Sequence, residues 1–509
     1  MSFEIAKQEI RTGKKLYEIS DGQRIEPEIV LPDYCKEIKK LLKCTFVPGI
    51  HSVNRSGERV TAKGTGVIRV LYLGEDDTVD VFDKSCDLAS SVQMKDMPED
   101  AVITAKQNVD FLNCRVTGQR KLSVSIGIST VFTCLCTRCE EIIGKPVQSE
   151  LQTRHEKHLC ETFYGFCEKT FDMSETVVLN SEHPSVGKIV STDSFCKVES
   201  CKISSGKLLV KGEVIIDIHC LEENGVNRFH RVSHSMPVSQ IIDIGDSDGD
   251  RSADVTLKVT QLMCSLKSDS SGKNRLVELS LRVSALVSLS AKKEIETVAD
   301  CYCTGYEIET EYAPSEQLCP VRVIDESAHA SGVVEFSDKV REILSVRCLE
   351  IAKDVDFSDE KAEISCSATL GIVHTDEKGI PAYCEKNLGF SFDFSVGKKC
   401  ADPFGFFTVE PLSVEASVSE DKAEISLDYK VKGRVYCRIP GRILKKLRVC
   451  EDKPLADDGA ALTLYFAQKG ESLWEIAKSH NTTAELICSE NGLENASVTQ
   501  EGMLLIPCV

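Results

Sequence analysis

The densest run of chemistry-bearing side chains is Cys134-Leu-Cys136-Thr-Arg-Cys139, followed by His155, His158, Cys160 and Cys167. Thiolates and imidazoles grouped in this way could hold Zn²⁺. The spacing Cys-x-Cys-x-x-Cys departs from paired Cys-x-x-Cys, and on a strand Cys134 and Cys136 simply share a face, so buried thiols are the favoured reading. Cys301-x-Cys303 is a weaker candidate in the corresponding region further on. Asp246-Ser-Asp-Gly-Asp-Arg251 starts like a calcium loop, but Leu257 stands where a bidentate Glu is required, so a solvated turn is expected. His155-Glu-Lys-His158 is one residue short of the zinc-protease spacing, and the two imidazoles cannot share a helix face. Val186-Gly-Lys188 and Ser271-Gly-Lys273 lack the upstream glycine of a phosphate loop, and no Gly-x-Ser-x-Gly elbow occurs. With no nucleophile–base pair and no convincing metal set, the chain reads as a non-enzyme without a cofactor.

Charge narrows the partners. With 61 basic against 80 acidic residues the net charge is −19, so a phosphate backbone would be repelled and nucleic acid is not an expected partner. One local exception is the acid-free stretch Lys430, Lys432, Arg434, Arg438, Arg442, Lys445, Lys446 and Arg448. Along Lys430–Ile439 the basic residues alternate with Val431, Gly433, Val435 and Cys437, so one strand face is positive. Such a face is solvated, or it docks an acidic partner, a neighbouring domain or a membrane surface. The first eleven residues carry charge throughout and lack the apolar core of a signal peptide, and no stretch reaches 18 apolar residues. A cytoplasmic, reducing location is therefore expected, in which most of the 24 cysteines remain thiols.

The elements that would position these groups are repeats. Val60–Tyr72, Leu208–Cys220 and Ala362–His374 each alternate like a strand and run into a polar turn, Gly74–Asp77, Glu222–Gly225 and Asp376–Gly379; their starts are 148 and 154 residues apart. A second block follows each hairpin: Val109–Cys114, Val259–Cys264 and Val409–Val414, at intervals of 150 residues. Each block leads into a long strand of period two, with Val277, Leu279, Leu281, Val283, Ala285, Val287 and Leu289 on one face of the second copy. The equivalents are Leu122, Val124, Ile126 and Ile128, and Ile425, Leu427, Tyr429 and Val431. Ahead of two hairpins, Leu31–Leu42 and Ser337–Leu344 show i, i+3, i+4 spacing, which predicts short helices. The expected fold is mainly β: three tandem sandwich- or barrel-like domains over 1–150, 160–297 and 305–450, then a charged linker, Glu451–Gly459, and a small module over 462–509.

That last module reads strand–helix–helix–strand. Leu462–Ala467 is a strand and Gly470 turns the chain. Ser472-Leu-Trp-Glu475 and Thr482-Thr-Ala-Glu485 are two capping boxes. Asn491-Gly492 suits a left-handed helix end, and Gly502–Pro507 closes as a strand. The segment resembles a LysM domain through Tyr465, Gly470-Glu-Ser-Leu-Trp-Glu-Ile-Ala477, Asn491-Gly-Leu493 and Gly502 to Pro507. The resemblance implies binding of N-acetylglucosamine polymers by two loops, here Gly470, Glu471, Ser472 and Leu473, with Asn491, Gly492 and Leu493 leading into 494–498. Glu471 replaces the commoner Asp, and six Glu against two Lys make the module acidic. Trp474, the chain's single tryptophan, follows the Ser472 cap while Leu473, Ile476 and Ala477 take the inward positions, so a partly exposed indole is expected to anchor a partner.

The upstream repeats, with patterns such as Ile29-Val-Leu-Pro-Asp33, resemble the SPOCS domain found beside LysM in spore-forming bacteria. Several such repeats before one LysM look like the SipL type of spore morphogenetic protein. This resemblance implies a scaffold of the mother-cell cytoplasm at the forespore surface and spore coat. Its LysM would bind a protein, the coat-basement ATPase of the stage IV sporulation protein A kind. A glycan-binding protein of wall or cortex is the alternative.

Overall fold

The computed structural model describes residues 5–146, 150–179, 183–223, 225–245, 251–358, 360–397, 402–419, 422–455, 461–493, 497–498 and 500–508. Strands dominate, and their order repeats three times. The first set is β1 (Ile5–Ile25), a short β2 (Glu28–Val30), β3 (Ile38–Ser56), β4 (Arg59–Gly74), β5 (Val79–Gln93), β6 (Val102–Gly118) and β7 (Lys121–Pro146). The second is β8 (Leu151–Val178), β9 (Val186–Ser204), β10 (Lys207–Glu222), β11 (Phe229–Asp243), β12 (Ser252–Ser268) and β13 (Asn274–Cys303). The third is β14 (Tyr306–Glu335), β15 (Val340–Phe357), β16 (Lys361–Asp376), β17 (Pro381–Ser395), β18 (Pro403–Ser419) and β19 (Lys422–Pro454). The C-terminal module is β20 (Leu462–Ala467), α1 (Leu473–Ser479), α2 (Ala484–Asn491) and β21 (Gly502–Pro507).

Each set makes two antiparallel sheets. The hairpin strands stand at the middle and edge of one, in the orders β3-β4-β5, β11-β10-β9 and β15-β16-β17. In the other, the long last strand runs between the first and the next-to-last: β7 between β1 and β6, β13 between β8 and β12, β19 between β14 and β18. The alternating residues pack between the sheets. Val283, Ala285 and Val287 are fully buried, joined in one core with Val214 and Ile216 of β10. Ile126 and Ile128 do the same in the first set, and Leu427 and Val431 in the third. Each such Val, Leu or Ile side chain contributes roughly 1.5–3 kcal/mol when taken out of water. The repeated blocks also share a bulge: the register slips at Asp110, Thr260 and Leu412 as β6, β12 and β18 pair with their long strands. Gly64 and Gly212 occupy the same place in β4 and β10, where a Cβ would collide with the carbonyl oxygens of Gly49 and Lys197.

The two expected short helices do not form. Residues 31–37 are a turn fastened to the β6–β7 turn, with Leu31 N–H on Arg120 O and Ile38 N–H on Gln119 O, each at 2.8 Å. β3 then begins at Ile38 and β15 at Val340.

The three sets close a ring. β5 packs on β9, β11 on β15, and β17 returns to β3. The long strands β7, β13 and β19 also touch one another pairwise, and Ile142, Ile295 and Ile443, equidistant from the starts of those strands, meet in one buried cluster with Cys160. Charge seals each junction. Lys188 bonds Asp80 between the first and second sets, Arg347 grips Asp193 at 2.7 Å between the second and third, and Lys43 bonds Glu385 between the third and first.

Candidate functional site

In the C-terminal module, α1 and α2 pack on one face of the β20–β21 ribbon. Ala467, Leu473, Ala477, Ile487 and Ile506 are fully buried there. Gly470 turns the chain at φ +93°, a conformation that favours glycine. The two candidate loops are tied to each other along the main chain: Gly470 N–H to Val498 O at 2.8 Å, Val498 N–H to Glu471 O at 2.9 Å, with Ser472 bridging Ser497. Asn491 is spent on architecture. Its side-chain amide donates to Leu505 O and its oxygen accepts from Leu505 N–H, both at 2.7 Å, so it acts as one residue of a missing strand beside β21. Gly492 is the left-handed helix end at φ +62°, and Leu493 N–H returns to Cys488 O at 3.0 Å.

Several expectations need correction. Leu473 is fully buried and offers no surface to a ligand. Ser472 stands at the cap position of α1 but makes no side-chain cap bond, and Glu475 reaches outward to Arg154 at 3.2 Å. The cap of α2 is Thr483, whose hydroxyl accepts from Leu486 N–H at 3.2 Å, while Thr482 is buried. Trp474 is half-buried, in keeping with the partly exposed indole expected, but its indole N–H donates within the chain, to Asp300 on β13 at 2.8 Å. Its ring meets Tyr302 edge-on, with centroids 4.9 Å apart.

The sequence reading passed over the other face of the ribbon. Leu464 lies opposite Leu505 and Phe466 opposite Met503, and with Leu462 they form an exposed apolar face; Leu464 is 65% and Phe466 59% exposed. The signal was present: β20 is apolar at five of six positions, which gives it two hydrophobic faces where a surface ribbon needs one.

Elsewhere the candidate metal groups stay apart. Cys134 is buried among Phe132, Val60 and Met94, Cys160 lies with Ile142, Ile295 and Ile443, and Cys139 is exposed. Among the described residues no group of three His, Cys, Asp or Glu is placed to hold a metal ion. Asp246–Asp250 lies outside the described residues. Cys301 and Cys303 are buried free thiols. Among the described residues no helix is long and apolar enough to cross a membrane.

The basic stretch on β19 pairs within the chain. Lys430 meets Asp325, Lys446 meets Glu311, and three side chains cross to the other sets: Lys432 to Asp254, Arg434 to Glu161 and Lys445 to Glu140.

A family model described as SipL, SPOCS domain matches residues 185–267, and one described as LysM domain matches residues 465–506. No curated protein and no solved structure matches the chain. The chain thus carries a SipL SPOCS domain, spanning β9 to β12, and a C-terminal LysM domain, the combination of a SipL-type protein with LysM.

Proposed function

We propose that the chain is a non-enzymatic scaffold of spore coat assembly. Three β domains, corresponding to the three strand sets, carry a LysM that recruits a coat-basement ATPase of the stage IV sporulation protein A kind to the forespore surface, on the mother-cell side. The observation that carries this reading is the open face of the LysM ribbon. Five large apolar side chains, Leu462, Leu464, Phe466, Met503 and Leu505, are exposed there together. A cluster of that kind on a small module suits burial against a protein surface. In the candidate glycan loops, by contrast, Leu473 is buried and Asn491 is bonded to Leu505, and among their described residues Gly470, Glu471, Ser472, Gly492 and Ser497 keep surface.

The test is direct binding of the purified full chain to the purified ATPase, beside sedimentation with insoluble peptidoglycan and chitin. Leu464→Asp and Phe466→Asp should each abolish ATPase binding while circular dichroism stays unchanged. Tight glycan binding with no ATPase binding would replace this reading by the wall- or cortex-binding alternative.

A further inference from the structure

Two side chains of the LysM meet on one carboxylate of the second strand set. Asp300, half-buried near the end of β13, accepts from Trp474 Nε1 at 2.8 Å and from Lys478 Nζ at 2.8 and 2.9 Å. Trp474 and Lys478 are four residues apart on α1, so they share one face. Two residues on, Tyr302 sets its ring against the Trp474 indole and donates its hydroxyl to Thr482 O at 2.8 Å. Arg154, on the neighbouring strand β8, lies over the same indole and pairs with Glu475. Burial alone would raise the Asp300 pKa, but the Lys478 and Trp474 hydrogen bonds outweigh it and hold the carboxyl below its ordinary value.

This seat has the form of a recognition event. α1 offers an indole N–H and an ammonium side by side, which together demand a carboxylate. A slot between α1 and the start of α2 demands an aromatic ring with a hydroxyl. Asp300-Cys-Tyr302 meets both demands because alternate residues of a strand point the same way. We propose that the α1 face of the LysM is a binding surface for an extended acidic–x–aromatic segment, occupied in cis by Asp300-Cys301-Tyr302, and that a protein partner presenting such a segment competes with the seat. The proposal rests on the LysM being the docking module. A partner that approaches the α1 face meets it already filled, so apparent affinity is reduced by the closed fraction.

Trp474 is the sole tryptophan of the chain, so its fluorescence reads the seat without any partner. In the full chain, Asp300→Ala should red-shift the emission and raise iodide quenching severalfold with the far-ultraviolet spectrum unchanged, and Asp300→Glu should restore most of the difference. The probe is a synthetic peptide spanning Glu296 to Tyr306 with serine in place of Cys301 and Cys303. It should return the emission of the Asp300→Ala chain toward that of the native protein, and bind the native chain about tenfold more weakly. The same peptide with alanine for Asp300 should do neither. A native chain whose indole is already fully quenched, or a peptide that leaves the Asp300→Ala emission unmoved, would overturn the proposal. Because no ATPase is present, either result is independent of the coat-scaffold reading. That reading fails separately, if ATPase binding is absent in native and Asp300→Ala chains alike.

Discussion

Arg434 on β19 donates through Nη1 to Oε1 of Glu161 on β8 at 2.8 Å, and the Glu161 side chain is only 4% exposed. The pair links the third strand set to the second. Ser290 on β13 adds a hydrogen bond to the same oxygen at 2.6 Å, and Asp254 on β12 meets the other side of the guanidinium at 3.4 Å. Lys430, Lys432 and Arg434 are therefore turned inward, the last two at a joint between neighbouring strand sets, whereas Lys446 and Arg448 further along stay exposed.

Removing one member of this joint should be severe. Arg434→Ala leaves Glu161 buried without its cation and is expected to cost about 3–5 kcal/mol of stability in urea unfolding. Arg434→Met with Glu161→Leu, which removes both charges, should recover most of that loss. A cost below about 1 kcal/mol for Arg434→Ala would mean that the pair behaves as an exposed one.

His219 makes acid stability a property of the second junction. It sits where β4 has Leu71 and β16 has Val373, and it bonds Ser345 of the third set at 3.1 Å. Burial first, then the neighbouring Arg347 and Arg231, lower its pKa from 6.5 to about 4, against the opposing pull of Asp193 and Asp217. The unfolded chain binds this proton more readily than the folded one. Stability should therefore be intact above about pH 6.5 and fall as pH drops toward 4, by roughly 3 kcal/mol in all. His219→Leu, copying the first repeat, should flatten the denaturation midpoint across that window. An unchanged pH slope in the variant would assign the acid sensitivity to other groups.

The repeats were legible because burial imposes a strict alternation: Val277 to Leu289 and Ile425 to Val431 can be apolar at every second place only if one face is in the core. The two false helices have the same origin read wrongly. β3 slips register between Ile38 and Lys40 and again between Leu41 and Lys43, and β15 slips between Val340 and Glu342 and between Ile343 and Ser345. Each bulge adds one residue to the period of two, and two close together imitate the three-and-four spacing of a helix. In the LysM, the backbone turns announced themselves through Gly470 and Gly492. The fate of Trp474 did not, because Asp300 lies 174 residues away and nothing local marks it as a partner. The ring closure was invisible for the same reason: Lys43 and Glu385 are 342 residues apart.

Thiol reactivity should divide sharply between native and unfolded chain. Twenty-two cysteines among the described residues are free, and Cys437 is disulfide-bonded. Burial pushes the Cys196 and Cys264 thiols up to about 12 and those of Cys160, Cys220 and Cys348 up to about 11, so almost none is thiolate at neutral pH. Brief alkylation of the native protein should mark Cys139, which is exposed, well before these five. Denaturation without reductant should then release nearly all the rest. Rapid native labelling of Cys196 or Cys264 would show that the second core opens far more often than its packing implies.

The match to the SPOCS family and the unit that folds should prove different in extent. Residues 185–267 hold β9 to β12 but neither β8 nor β13. Within that span β9, β10 and β11 can pair, but β12 loses β13, which supplies its whole ladder from Ser252 to Ser268. The core loses Val277, Leu279, Leu281, Val283, Ala285, Val287 and Leu289, a row at most 4% exposed. At roughly 1.5–3 kcal/mol for each Val or Leu, no domain stability of about 5–15 kcal/mol survives that subtraction. A fragment of residues 185–267 should therefore be unfolded or aggregated by circular dichroism and gel filtration. Residues 151–303 restore both long strands and should unfold cooperatively in urea. That fragment should still be weaker than the second set within the full chain, because Ile295 and Glu161 lose Ile443 and Arg434. A monomeric, cooperatively folded 185–267 fragment would show that β13 is an accessory to the domain and not the centre of its sheet.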